Sequence, residues 1–194
     1  MARIFFALPL PAHTRREILH MARPILPEQR FRVVPAENLH ITMAFLGEVN
    51  DDELARVVQI ARSLDLLPTG ATGIEDDQIT INGAGAFPRL TKPRVVWLGI
   101  GDGADALRDI HARLVEKFDA AGLPYDPKPL RPHVTVAYVR KSRTGAGTED
   151  ADSLENAMTS LRRDAASREW SFPLPTVRLY ESRLLKTGAV YREL

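Results

Sequence analysis

The sequence predicts a protein of mixed strands and helices, built as two pseudo-symmetric lobes that share one cleft. Three observations lead there. A pattern of seven residues, His-x-Thr-x-Ala-aromatic-aliphatic, is written twice, as "HITMAFL" (40–46) and "HVTVAYV" (133–139). Each copy follows an apolar run headed by arginine, "RIFFALPL" (3–10) and "RVVWLGIG" (94–101), with thirty-seven positions from Arg3 to His40 and thirty-nine from Arg94 to His133. In both copies a stretch of helical periodicity lies between the run and the pattern. Two copies are too few for a solenoid, which gains stability only by stacking several repeats. The order therefore predicts a single bilobal domain over 1–194 with an internal duplication.

The elements follow in turn. "RIFFALPL" is a short run rich in strand formers and bounded by prolines, and reads as a buried strand. Pro11 suits the start of a helix through Ile18, Leu19 and Ala22, which Pro24 ends. "FRVV" (31–34) reads as a short strand or extended segment. In "LHITMAFLGE" simple alternation sends His40, Thr42 and Ala44 one way and Ile41, Met43 and Phe45 the other. Asn50 and Glu53 have capping-box spacing ahead of a helix to Asp65, with Leu54, Val57, Val58, Ala61 and Leu64 on one face. Residues 73–82 read as a strand and "NGAGAFP" (82–88) as a loop.

The second half repeats the order. A strand at 94–101 precedes a helix with Leu107, Ile110, Leu114 and Phe118 on one face. "GIGDG" (99–103) lacks the spacing of a nucleotide-binding loop and reads as a turn before that helix. A proline-rich approach leads to the strand that carries His133. "KSRTGAGTED" (141–150) reads as a polar loop, 153–167 as a helix, and "EWSFPLPTVRLYESRLL" as extended, with Pro173 and Pro175 marking an edge.

Composition narrows the function classes. Net charge is +1, so bulk charge does not mark a nucleic-acid binder, although a local basic cleft is compatible with it. The absence of cysteine excludes thiolate zinc sites, disulfides and a thiol nucleophile. The N-terminal apolar run is broken by Pro9 and Pro11, unlike a signal peptide, and no run of about eighteen apolar residues could span a membrane. The expectation is a cytoplasmic monomer.

The chemistry lies in the duplicated His-x-Thr. One intervening residue on a strand sends both side chains from the same face. Two such strands related by a pseudo-twofold would turn two imidazoles and two hydroxyls toward one cleft. Imidazole titrates near neutrality, so one ring can hold a proton while the other lacks it. Threonine hydroxyls can donate to phosphate oxygens. The set suits in-line displacement at a phosphodiester. A metal is not expected, because two histidines make an incomplete ligand set and neither has an Asp or Glu at ligand spacing. His13, His20 and His111 lack the threonine partner and read as structural or solvent-facing.

Paired "HITM" and "HVTV", with "RIFFALPLP", "NLHITMAFLGEV", "GAFPRLTKPRVVWLGI", "RPHVTVAYV" and "LYESRLLKTGAVY" around them, resemble the 2H phosphoesterase superfamily. Within it they look like the RNA 2′,3′-cyclic phosphodiesterase branch, also called 2′-5′ RNA ligase-like. The resemblance implies an α+β fold of two lobes, with antiparallel sheets lining a central cleft and helices outside. It implies metal-independent hydrolysis of a 2′,3′-cyclic phosphate to a 2′-phosphate, with 2′-5′ ligation as the reverse reaction and no cofactor. The motif residues carry over to His40 and His133 as catalytic groups and to Thr42 and Thr135 as phosphate ligands. By analogy His40 protonates the departing O3′ and His133 activates water. The implied partners are RNA with 2′,3′-cyclic phosphate ends or small cyclic nucleotides. The alternative is a non-catalytic protein that binds RNA ends or nucleotide phosphates, against which intact His and Thr in both copies argue.

One position departs from that branch, whose members often carry an arginine five residues after the second histidine. Here that residue is Tyr138, which alternation would turn away from the His133 face. Arg131, two residues before His133, has the parity of the catalytic face and is the expected phosphate cation. Arg183 and Arg140 are the substitutes.

Overall fold

The first strand, β1 (Ala2–Pro9), is apolar on both faces and buried from Ile4 to Leu8, as a strand in mid-sheet must be. The computed structural model describes residues 2–65, 78–140, 148–185 and 188–194. Helix α1 (Ala12–Ile25) begins after Pro11 and holds Pro24 in its last turn. Strand β2 (Phe31–Val33) and a 3₁₀ turn (Ala36–Asn38) lead into β3 (His40–Val49), which carries the first His-x-Thr. Helix α2 (Asp51–Asp65) starts with the reciprocal cap expected: the Glu53 amide donates to Asn50 Oδ1 at 2.9 Å and the Asn50 amide to Glu53 Oε2 at 2.8 Å. Strands β4 (Gln78–Phe87) and β5 (Val95–Ile100), helix α3 (Ala104–Ala120) and strand β6 (His133–Val139) follow. Helix α4 (Thr148–Ala166) and strands β7 (Trp170–Pro173), β8 (Arg178–Leu185) and β9 (Gly188–Glu193) complete the chain.

The expected strand at 73–82 is seen from Gln78; its first residues, and most of the expected loop at 141–150, lie outside the described residues. Two readings are corrected. Thr148–Asp150, expected at the end of that loop, begin α4. "NGAGAF" is the second half of β4, hydrogen-bonded to β5, and not a loop. Gly83 is the extra residue of a bulge, at φ +62°, and Gly85 leaves room for the Trp97 ring. Of the two glycines that suggested a loop, Gly83 supplies the positive φ of the bulge and Gly85 the space for the Trp97 ring.

All pairings are antiparallel, and the sheet runs β7-β4-β5-β6-β3-β1-β8-β9, with β2 alongside β6. The order is a palindrome of roles: β6 answers β3, β5 answers β1, β4 answers β8 and β7 answers β9. The repeated halves of the sequence are not the halves of the sheet, however. β4, the end of the first repeat, pairs with β5 of the second. β8, near the end of the second, pairs with β1 of the first. Each lobe is closed by a strand from the other repeat.

The helices cover the sheet face that carries Ile4, Phe6, Leu8, Ile41, Val134 and Val136. These residues join Ile18 of α1, Leu114 and Phe118 of α3, and Leu161 of α4 in one core. Phe6 and Phe118, both fully buried, bring their rings to 5.5 Å, a burial that stabilises by about 1.5–3 kcal/mol per side chain. The opposite face stays open, and it holds the duplicated motif.

Candidate active site

β3 and β6 meet at one residue pair, Ile41 against Val134, both fully buried toward the helices. Continued one step each way, that antiparallel register sets His40 across from Thr135 and Thr42 across from His133. Alternation turns all four to the open face. A cleft of ≈ 650 Å³ lies there, with His40, Thr42 and Thr135 in its lining. His133 is not in the lining of that cavity; it is partly buried between Phe87 and Trp97, whose ring centroids are 5.1 and 6.3 Å away. His40 is walled in the same way by Phe5 at 5.2 Å and Tyr191 at 5.3 Å.

Both imidazoles are fixed by the same bond. His40 Nδ1 donates to the Asn38 carbonyl at 2.7 Å, and His133 Nδ1 to the Arg131 carbonyl at 2.6 Å. A carbonyl can only accept, so Nδ1 carries the hydrogen and Nε2 is the atom that exchanges protons. The Thr42 hydroxyl lies 2.9 Å from His40 Nε2 and donates to it while that ring is neutral. Burial pushes both rings below the ordinary histidine value. The carbonyl bonds oppose the shift, and at His40 the positive charge of a protonated His133 adds to it. The repulsion disfavours the doubly protonated pair.

The strands depart from simple alternation at equivalent places. Thr42 and Ala44 face successive residues Ala7 and Phe6 of β1, so Met43 is an extra residue; Thr135 and Ala137 face Trp97 and Val96 of β5, so Val136 is another. A bulge reverses the parity of everything after it. Ala44 is therefore buried, and Phe45 and Tyr138, expected on the far face, line the cleft. The carbonyls of the inserted residues are both satisfied: Met43 O accepts from His111 Nδ1 at 2.8 Å, and Val136 O from the Val34 amide at 2.8 Å. His111 thus has a structural task, pinning the β3 bulge from α3.

The arginines fall differently from the expectation. Arg131 precedes β6, where the chain is not in a ladder and strand parity does not apply. Its side chain is exposed and outside the cleft lining, and what faces the site is its carbonyl. Arg140 is bonded to the carbonyls of Glu28 and Phe31, and Arg183 pairs with Glu181. Among the described residues the cations that line the cleft are Arg3 and Arg32. Arg3 lies 5.6 Å from the Phe45 centroid and Arg32 4.8 Å from that of Tyr138. Neither was legible from the motif, since each reaches the site from a neighbouring strand. Among the described residues no group of three or more His, Cys, Asp or Glu could hold a metal ion. None of the described helices is long and apolar enough to cross a membrane.

Residues 10–183 match the model of the 2′-5′ RNA ligase superfamily. An RNA 2′,3′-cyclic phosphodiesterase of Aeropyrum pernix is 30% identical over 183 residues, 94% of this chain and 91% of that protein. One of Escherichia coli K12 is 28% identical over 192 residues, 99% of this chain and 93% of its own. Among solved structures, that of E. coli LigT complexed with 3′-AMP superposes with a TM-score of 0.65 at 25% identity, covering 100% of this chain and 95% of that one.

Proposed function

The chain is a member of the 2′-5′ RNA ligase superfamily, and from that premise we propose that it hydrolyses 2′,3′-cyclic phosphates of RNA ends or small nucleotides to 2′-phosphates without a metal. Relatives of 25–30% identity over nearly the full chain bear the name RNA 2′,3′-cyclic phosphodiesterase. The observation that carries the reading is the crossing of β3 and β6 at one residue pair, which turns both His-x-Thr pairs to one face.

In this reading neutral His133 takes a proton from water at Nε2 as the water oxygen bonds to phosphorus. The P–O3′ bond opposite breaks, and protonated His40 gives its Nε2 proton to the departing O3′, leaving the 2′-phosphate. The Thr42 and Thr135 hydroxyls donate to the non-bridging oxygens, which gain charge in the transition state. With an RNA 5′-hydroxyl in place of water, the same steps form a 2′-5′ bond: O5′ bonds to phosphorus as His133 takes its proton, and the P–O3′ bond breaks as His40 protonates O3′. One cytoplasmic chain supplies every group, so no second copy is needed.

The test is turnover of an oligonucleotide with a 2′,3′-cyclic phosphate end in excess EDTA, with the product identified as a 2′- or 3′-phosphate. Wild type should yield the 2′-phosphate. Folded His40→Ala and His133→Ala variants should each lose on the order of 10²–10⁴ in rate. Binding without turnover would favour a phosphate-binding protein, and loss of activity on chelation would overturn the metal-free mechanism.

A further inference from the structure

Arg3 and Arg32 are unusual among the arginines near the site. Among the described residues no carboxylate pairs with either, whereas Arg183 and Arg192 share Glu181 and Arg178 holds Glu193. A guanidinium kept in a cleft with no carboxylate at ion-pair distance leaves positive potential for a ligand. Arg32 is the more closely held of the two. It stands directly across from Tyr138 in the β2–β6 ladder, and its guanidinium lies over that ring at 4.8 Å. On the other side, Arg32 Nη1 is 3.3 Å from the place a Cβ on Gly188 would occupy, so the group sits between β6 and the start of β9.

That seat sets what the guanidinium can do. Stacking uses its flat face and leaves the N–H edge to donate in its own plane, the geometry that matches two phosphate oxygens. The bulge at Val136 makes Tyr138 the next cleft-facing residue after Thr135, so the platform adjoins a hydroxyl of the motif. From across the cleft, Tyr191, edge-on to His40, feels the charges of both Arg32 and Arg3. Glu37 also lines the cleft and favours a ligand whose charge is concentrated at one end.

We propose that Arg32, seated on Tyr138, is the cation that binds the non-bridging oxygens of the substrate phosphate, supplied from the cross-strand neighbour of a position that here holds a tyrosine. The proposal rests on the phosphodiesterase reading for its catalytic part and on the cleft alone for its anion-binding part. Tyr138 is a positioning residue: its ring orients the guanidinium and its hydroxyl is dispensable.

Two measurements on the full chain test it, with circular dichroism to confirm folding. The first is kcat and KM on a 2′,3′-cyclic mononucleotide; the second is calorimetric titration with inorganic phosphate. Arg32→Gln should lower kcat/KM about a hundredfold, as for loss of one transition-state donor, and weaken phosphate binding about tenfold or more. Millimolar guanidinium should restore part of the activity of Arg32→Ala, which a merely structural arginine would not allow. Tyr138→Phe should stay near wild type, Tyr138→Leu should lose part of the effect, and Arg183→Gln should be unchanged. A folded Arg32→Gln variant with wild-type turnover and phosphate affinity would overturn the proposal. So would a loss of turnover with unchanged phosphate affinity and no guanidinium rescue. If wild type does not turn over the nucleotide but Arg32→Gln still weakens phosphate binding, the phosphodiesterase reading fails while the anion site stands.

Discussion

Gly85→Ala probes the wall of His133 from behind. A Cβ at Gly85 would lie 2.3 Å from Cζ2, 2.4 Å from Cη2 and 2.8 Å from Cε2 of Trp97, all far inside van der Waals contact. Gly85 stands directly across from Trp97 in the β4–β5 ladder, so the added carbon meets the indole and the ring must move. Forced rearrangements of this kind cost about 1–3 kcal/mol. Trp97 and Phe87 are the rings against His133, and their centroids are 5.3 Å apart, so displacing one disturbs the other. A shift of about 1 Å at a reacting group can cost about a hundredfold in rate. Gly83→Ala is the control. It has open space around the added carbon but sits at φ +62°, so it carries only backbone strain of about 1–2 kcal/mol. Urea unfolding should therefore show both variants destabilised to a similar degree. Turnover of a cyclic phosphate, measured well below the unfolding midpoint, should fall about tenfold or more only in Gly85→Ala. Equal activity in the two variants would show that Trp97 does not position His133.

The histidines and Thr42 give further predictions. Both imidazoles titrate below 6.5 because burial disfavours their charged forms, so the bell of kcat/KM against pH should centre on the acid side of 6.5; a bell centred above that value would contradict the buried pair. For stability the sign follows from proton binding: between the lowered folded values and 6.5 the unfolded chain binds more protons, so stability rises with pH through that window and is lost as pH falls through it. Urea midpoints across pH should show this slope in wild type and a shallower one when both histidines are replaced by glutamine. Thr42→Val removes the hydroxyl 2.9 Å from His40 Nε2 and a donor to a charged phosphate, an interaction worth about 1.5–3 kcal/mol, whereas Thr42→Ser keeps it. Initial rates should drop sharply for valine and little for serine, and equal rates would remove the hydroxyl from the mechanism.

The elements that carry periodicity were legible in the sequence. The reciprocal cap of Asn50 and Glu53, the buried face of α3 and both His-x-Thr strands lie where pattern and spacing place them. What alternation missed came from its being interrupted. In "HITMAFL" and "HVTVAYV" the residues after Thr42 and Thr135 are apolar without alternation, and each strand carries a bulge there. Read that way, Phe45 and Tyr138 belong to the cleft, and the parity argument for Arg131 has no ladder to stand on. Arg32 was out of reach for another reason. Its place depends on β2 lying against β6, more than a hundred residues away, and no local pattern encodes that pairing. β9 was missed because "GAVYRE" is short and half-polar, and it is a strand by virtue of its partner β8.

The exchange of strands between the repeats bears on why so sparse a junction can hold an active site. β3 and β6 share one residue pair, too little to fix two imidazoles by itself. β2, from the first repeat, continues along the same edge of β6 with three further pairs, from Phe31–Val139 to Val33–Ala137. α3, from the second repeat, reaches the bulge of β3 through His111. β4 and β8 cross between the lobes on the outside. Relative motion of the lobes would have to break several of these links together, at sites both inside and outside the cleft. The same links bring Arg32 and Tyr138 to the cleft side of β6.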